Sequence, residues 1–243
     1  MTKRETGDSA RRPQGLVFLT FGALVLNCVS HPLMAADVLR LPPGVPVVVA
    51  PDEPGPVRRA AQDLQRDLEW VLGAPSPQLE QVPDNEETVV IVVTSRPAEL
   101  PAFGPPRVSG GEAHAISVAG RRVLLEGADA RGAIYAIYSF SDHFLDVPPW
   151  WFWAGWKPRV RDVVEVPVQT DLRWQSPKVK WRAWFPNDTD LLSPWIQQDY
   201  ATRWNLVVET MLRLKLNLID VGEFSDRSIG KTRIPRDRGL AIT

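Results

Sequence analysis

Asn187 and Asp188 stand where a short aromatic stretch, Lys178-Val179-Lys180-Trp181-Arg182-Ala183-Trp184-Phe185-Pro186, runs out. The stretch alternates in character and reads as a strand that its proline brings to an end. In barrels of parallel strands, reactive groups gather where strands stop and loops begin. An amide at such a point donates and accepts hydrogen bonds with a sugar hydroxyl. A carboxylate there accepts them or handles a proton. Asp188 is therefore the candidate catalytic group, and Asn187, Asp188 and Trp184 are candidates for substrate binding. Two more carboxylates, Asp220 and Glu223, follow the apolar run Leu218-Ile219 and fall at a second expected strand end. They are candidates for the wall of the same cleft. The Asn-Asp pair equally suits a plain turn, since both residue types favour turns.

The elements that would position these groups come in two blocks. The first spans residues 37–156. Val45–Ala50 is an apolar strand, and Pro56 can open a helix in which Val57, Ala61, Leu64, Leu68 and Val71 recur at helical spacing until Gly73 and Pro75 stop it. Residues 74–87 are polar and proline-rich and read as a loop. Thr88–Val93 is a second buried-type strand. Ala115–Val118 and Val123–Glu126 flank Ala119-Gly120-Arg121-Arg122, a hairpin signal. Asp129 is placed to cap a helix whose apolar face is Ala133, Ile134, Ile137, Phe140 and Phe144. Crossover helices favour parallel pairs and the hairpin is antiparallel, so the sheet should be mixed.

Residues 157–177 read as a connector with one strand, Val163–Val166. The second block, 178–243, shows a strand, a helix through Trp204, Val207, Val208, Met211 and Leu214 ending at Lys215, and a strand at 217–221. Leu240-Ala241-Ile242 reads as the start of a third strand. This is the rhythm of a (β/α)8 barrel or a doubly wound sheet. The fold class expected is thus α/β: a mixed-sheet domain followed by the first βα units of a truncated barrel. Two βα units cannot close a barrel of about eight strands, so the sequence reads as the front part of a longer protein or a fragment of one.

Nine of the ten tryptophans fall between Trp150 and Trp204, most densely in Pro148-Pro149-Trp150-Trp151-Phe152-Trp153. Indole faces suit the C–H faces of sugar rings, and large aromatics also build cores between domains. Both readings stand. The net charge of −1 argues against nucleic acid, which calls for a basic face. At the N-terminus, Lys3, Arg4, Arg11 and Arg12 precede an apolar run, Leu16–Val29, and the small residues Ala35 and Ala36. That order is the secretory pattern, so residues 1–36 are expected to be a signal peptide and the product secreted or periplasmic. No other membrane association is expected. Leu24-Val25-Leu26-Asn27-Cys28 approaches a lipoprotein signal, with Asn27 where a small residue is wanted. Cys28 is the only cysteine, so a chain cleaved after Ala36 has no thiol chemistry. His114 and His143 lack metal-ligand spacing and are expected at the surface or in a capping role. No metal and no cofactor are expected. The partner expected is a polysaccharide, and a homodimer is one assembly open to the chain.

Four segments, in order, resemble those of glycoside hydrolase family 115, the xylan α-glucuronidases. They are Gly127-Ala128-Asp129-Ala130-Arg131-Gly132-Ala133-Ile134-Tyr135-Ala136-Ile137-Tyr138, Pro149-Trp150-Trp151-Phe152-Trp153, Lys180–Asp188, and Leu212-Arg213-Leu214-Lys215-Leu216-Asn217. The resemblance implies an α/β domain before a (β/α) barrel. It implies inverting, metal-independent removal of glucuronic or 4-O-methylglucuronic acid, linked α-1,2, from xylan. It places Asn187 and Asp188 in the uronate site. It also puts the general acid beyond Thr243, so that the chain alone would be inactive. The sequence departs from the family pattern at Ala154-Gly155 and from Leu218 to Glu223, which implies a substrate other than glucuronoxylan. Rival readings are a binding module that holds polysaccharide without cleaving it, and an inert fragment with an open sheet edge.

Overall fold

The computed structural model describes residues 37–186, 199–221 and 229–243. A six-stranded mixed sheet organises the first part, in the order β3-β2-β4-β6-β5-β8. Its strands are β2 (Val47–Val49), β3 (Gln78–Leu79), β4 (Val90–Thr94), β5 (His114–Ala119), β6 (Arg122–Gly127) and β8 (Asp171–Trp174). β3, β2, β4 and β6 run parallel, while β5 pairs antiparallel with both β6 and β8. Gly120 opens the two-residue hairpin loop at φ +59°, a conformation that costs glycine nothing.

Helices α1 (Gly55–Leu72) and α2 (Ala130–Leu145) cover one face. The alternation of buried residues explains how. Val47, Val49, Ile91 and Val93 point to the helices, while Val48, Val90 and Val92 point to a smaller cluster with Phe103 on the far face. α1 ends because Gly73 takes φ +73° and returns its N–H to the Glu69 carbonyl at 2.8 Å. α2 starts because Asp129 Oδ1 accepts from the Gly132 N–H at 2.7 Å. Two glycines let this turn close. A Cβ on Gly127 would lie 1.9 Å from the Ala133 nitrogen, and one on Gly132 would lie 2.4 Å from the Ala113 carbonyl oxygen.

The second part holds a parallel sheet in the order β11-β10-β9, from β9 (Ala183–Trp184), β10 (Leu218–Ile219) and β11 (Ala241–Ile242). α3 (Tyr200–Arg213) lies between β9 and β10 in the chain, and α4 (Ile229–Asp237) lies between β10 and β11. One core runs through both parts: Trp204, Val207, Val208 and Met211 of α3 and Ile219 of β10 join the cluster under α1 and α2.

Several expectations change. The 157–177 segment carries two strands, not one. β7 (Val164–Pro167) pairs antiparallel with β1 (Val38–Leu41), and β8 extends the main sheet at its edge. The loop expected at 74–87 contains β3. The strand expected over 178–186 pairs in strand register only at Ala183–Trp184, and before it the Val179 and Lys180 carbonyls and the Arg182 N–H are taken by side chains. No helix among the described residues is long and apolar enough to cross a membrane.

His114 is the clearest correction. It is buried, stacked on Trp174 with ring centres 4.8 Å apart, and bonded to the Glu112 carbonyl at 3.2 Å and to Ser139 Oγ at 3.1 Å. Burial, helped by the positive charges of Lys215 and His143, pushes its pKa down from 6.5 to about 4. The unfolded chain therefore takes up this proton first as pH falls. Stability contributed by the neutral ring is present above pH 6.5 and is lost between 6.5 and about 4. A thermal-melt series across this window should show the midpoint falling with pH, and His114→Gln should flatten that slope.

Candidate active site

The structure brings Trp184 and Asp220 together. Trp184 pairs with Ile219, Ile219 pairs with Ile242, and the Asp220 N–H donates to the Trp184 carbonyl at 3.2 Å. The carboxyl ends of all three parallel strands thus form one edge. Trp184 is half-buried against the core, and Phe185 beside it is 52% exposed. Asn187 and Asp188 begin three residues past the end of β9, and Glu223 lies four residues past β10. All three lie outside the described residues. Among the described residues there is no group of three or more His, Cys, Asp or Glu that could hold a metal ion.

The opposite, amino-terminal edge is held by a cluster that no sequence signal announced. Its centre is Glu112, in the loop before β5, at φ +64°. One carboxylate oxygen accepts from Asn217 Nδ2 at 2.7 Å and from Arg131 Nη1 at 2.8 Å. The other accepts from Arg182 Nη2 at 2.5 Å. Asn217 is fully buried. It also donates to the Lys180 carbonyl at 2.7 Å and accepts from the Arg182 N–H at 2.8 Å. Arg182 gives Nε to the Lys215 carbonyl and Nη1 to the Val179 carbonyl, at 2.8 and 2.9 Å. Arg131 reaches the Gly239 carbonyl at 3.0 Å, just before β11. Tyr135 closes the set, donating from its hydroxyl to the Leu216 carbonyl at 3.0 Å.

Every parallel strand is therefore fastened at its start by one carboxylate and its partners. Burial works against the Glu112 charge. Hydrogen bonds from Asn217, Arg131 and Arg182, with the Arg182 charge, more than offset it and hold the carboxyl below its usual range. Lys215 leaves α3 at φ +62°, and burial pulls its pKa down to about 7. Of the three non-glycine residues with positive φ among the described residues, two thus sit in this cluster. Such conformations persist where the surroundings over-determine them.

A second polar network ties α1 to α3 and α4. Arg66 grips Glu209 with two bonds, at 2.7 and 3.0 Å. Arg213 bonds Asp67 at 2.6 Å and Glu209 at 2.8 Å. Arg238 bonds Asp63 at 2.7 Å, and the Tyr138 hydroxyl donates to the same oxygen at 2.8 Å. Burial opposes the Glu209 charge, but Arg213, Arg66 and Arg238 hold its carboxyl far below the usual range. Trp151 belongs here too. Its Nε1 donates to Glu209 at 3.1 Å, and its ring packs edge-on against Trp70 at 4.8 Å. That ring is core, whereas Trp150 and Trp153 remain 46% and 38% exposed.

With this geometry in hand, the comparisons with known proteins are specific. Residues 174–236 match the family model of Glycosyl hydrolase family 115. That stretch runs from the end of β8 into α4 and contains Trp184, Arg182, Asn217 and Asp220. No curated protein sequence matches the chain. Among solved structures, the chain is similar to BtGH115A, described as a family GH115 4-O-methyl-α-glucuronidase with specificity for decorated arabinogalactans. The TM-score is 0.70 at 23% identity, covering 83% of this chain and 29% of that one. CpGH84B aligns with a TM-score of 0.51 at 10% identity, over 86% of this chain and 34% of its own. An enzyme described as a GH138 enzyme targeting pectin rhamnogalacturonan II aligns with a TM-score of 0.50 at 14% identity, over 82% of this chain and 30% of its own. The chain therefore spans about a third of the length of the structures it matches.

Two substitutions, one in each network, test their assignment to stability. Arg213→Ala would remove one of the two guanidinium groups that the buried Asp67 and Glu209 share, leaving Arg66, and should cost about 3–5 kcal/mol in urea unfolding. Glu112→Gln keeps the shape but not the charge that faces Arg131 and Arg182. It should cost about 1–3 kcal/mol and remove the part of the acid lability that appears below pH 4.5. By sequence over residues 174–236 and by fold over 83% of its length, the chain resembles glycosyl hydrolase family 115.

Proposed function

We propose that the protein carrying this chain is a glycoside hydrolase that removes glucuronic or 4-O-methylglucuronic acid from a plant-type polysaccharide, with inversion and without a metal. The observation that carries this reading is the family match across 174–236, which takes in β9, α3, β10 and most of α4. In this reading β9, β10 and β11 are the opening strands of a (β/α)8 barrel. The chain divides into a leader over 1–36, an α/β domain over 37–156, a joining segment over 157–177 and the barrel start from 178. The leader implies a secreted or periplasmic protein.

Chemistry belongs at the carboxyl edge, where Trp184 and Asp220 adjoin and where the chain leads on to Asn187, Asp188 and Glu223. Asn187 holds sugar hydroxyls there. Asp188 serves as base or binds a hydroxyl, and Trp184 offers an aromatic wall. Inversion needs a base and a water on one side of the bond and an acid on the other, about 6.5–9.5 Å apart. The departures at 218–223 fit a uronate carried on a backbone other than plain xylan. One similar structure is described as specific for decorated arabinogalactans.

The exposed faces of Trp150, Trp153 and Trp181, at 46%, 38% and 52%, favour a second reading, a carbohydrate-binding module. In the full-length protein, Asp188→Asn should lower turnover on 4-O-methylglucuronoxylan or decorated arabinogalactan by at least ~100-fold, the scale of a lost general base. Near-normal turnover on the true substrate would reject the hydrolase assignment for Asp188. Retardation in a xylan affinity gel with no uronate released would favour the binding module.

A further inference from the structure

The described surface has an opening where positive charge outnumbers negative charge. A cavity of about 620 Å³ lies between the start of α1, the first turn of α3 and the end of α4. Among the described residues, its charged lining is Arg59, Arg233, Arg236 and Arg238 against one carboxylate, Asp237. With a chain charge of −1, this excess of cations is local and not a matter of composition.

The four guanidinium groups are not alike. Arg238 is fully buried and committed, to Asp63 at 2.7 Å and to Asn205 Oδ1 at 2.8 Å. Arg59 is 40% exposed, bonded to Gln62 at 2.9 Å, with Asp63 at 3.6 Å. Arg233 and Arg236 are exposed and have no ion pair or hydrogen bond among the described residues. Asp237 follows Arg233 by four residues, the spacing at which helical pairs meet, yet no pair forms. α1 adds its positive end. Pro54 supplies no side-chain cap, and the first turn of α1 contains no acid to neutralise the helix dipole.

We propose that this cavity is a second carbohydrate site, selective for carboxylated oligosaccharides. Its sugar component rests on the glycoside hydrolase reading, whereas its preference for anions rests on the arginines alone. Guanidinium forks match a carboxylate with two parallel bonds. The volume is in the range of about 300–1,000 Å³ usual for ligand pockets. Among the described residues no aromatic ring lines it, so they offer a neutral sugar no stacking face and selection falls to charge. The cavity adjoins Arg238, which leads into β11. It is therefore on the amino-edge side of the parallel sheet, away from Trp184 and Asp220, and a polymer held there is anchored apart from the proposed cleft.

The test uses the full-length protein and its Arg233→Ala/Arg236→Ala variant in affinity gels containing polygalacturonate or neutral arabinoxylan, at low and raised salt. The expected result is retardation by polygalacturonate that weakens with salt and falls about five-fold or more in the variant, the sum of two exposed ion pairs. The thermal midpoint should not change. Equal retardation of parent and variant, or retardation of the parent by the neutral polymer alone, overturns the proposal. Uronate release, assayed separately on a short oligosaccharide, keeps the two readings apart. If release occurs but the variant binds like the parent, the second site falls and the hydrolase stands. If retardation depends on the two arginines but no uronate is released, the site stands and the hydrolase falls.

Discussion

One buried carboxylate holds the two parts of this protein in register. Glu112 lies in the loop leading to β5, and it draws hydrogen bonds from α2 and from the starts of β9 and β10. A charge removed from water needs full compensation, and here each oxygen receives it from a different structural element. The geometry is demanding enough that Glu112 and Lys215 both accept left-handed backbone conformations. That cost, on the order of 1–3 kcal/mol each, persists because every neighbouring bond constrains the same turn.

The second network does for the helices what Glu112 does for the strands. Three carboxylates, Asp63, Asp67 and Glu209, meet three guanidinium groups, Arg66, Arg213 and Arg238, so the buried charge balances. Structural demands thus concentrate at the amino edge of the parallel sheet and along the α1–α3 contact. The carboxyl edge carries Trp184 and Asp220. The tryptophans divide likewise: Trp151 is tied to Glu209 and Trp70, while Trp150, Trp153 and Trp181 keep open faces.

The segments that carried the family resemblance turn out to be mostly junction residues. Asp129 caps α2, Gly127 and Gly132 permit a close turn, and Arg131, Arg182, Arg213 and Asn217 make the buried bonds. Motif strength therefore reported how the parts are joined more than what reaction they perform.

Local patterns were enough to read the helices and the longer strands, but not β1, β3 or β8. The 3.6-residue spacing of Val57 through Val71, the cap at Asp129, the hairpin at Gly120 and the apolar runs at β4 and β10 each follow from nearest neighbours along the chain. The mixed sheet followed from them. Pairing partners far apart in the chain were not legible: nothing local says that Glu112 meets Asn217, that β7 returns to β1, or that His114 is sealed under Trp174. A side chain's spacing sets the face it occupies, but its burial and partners depend on which distant element packs against that face, and only the folded arrangement decides that.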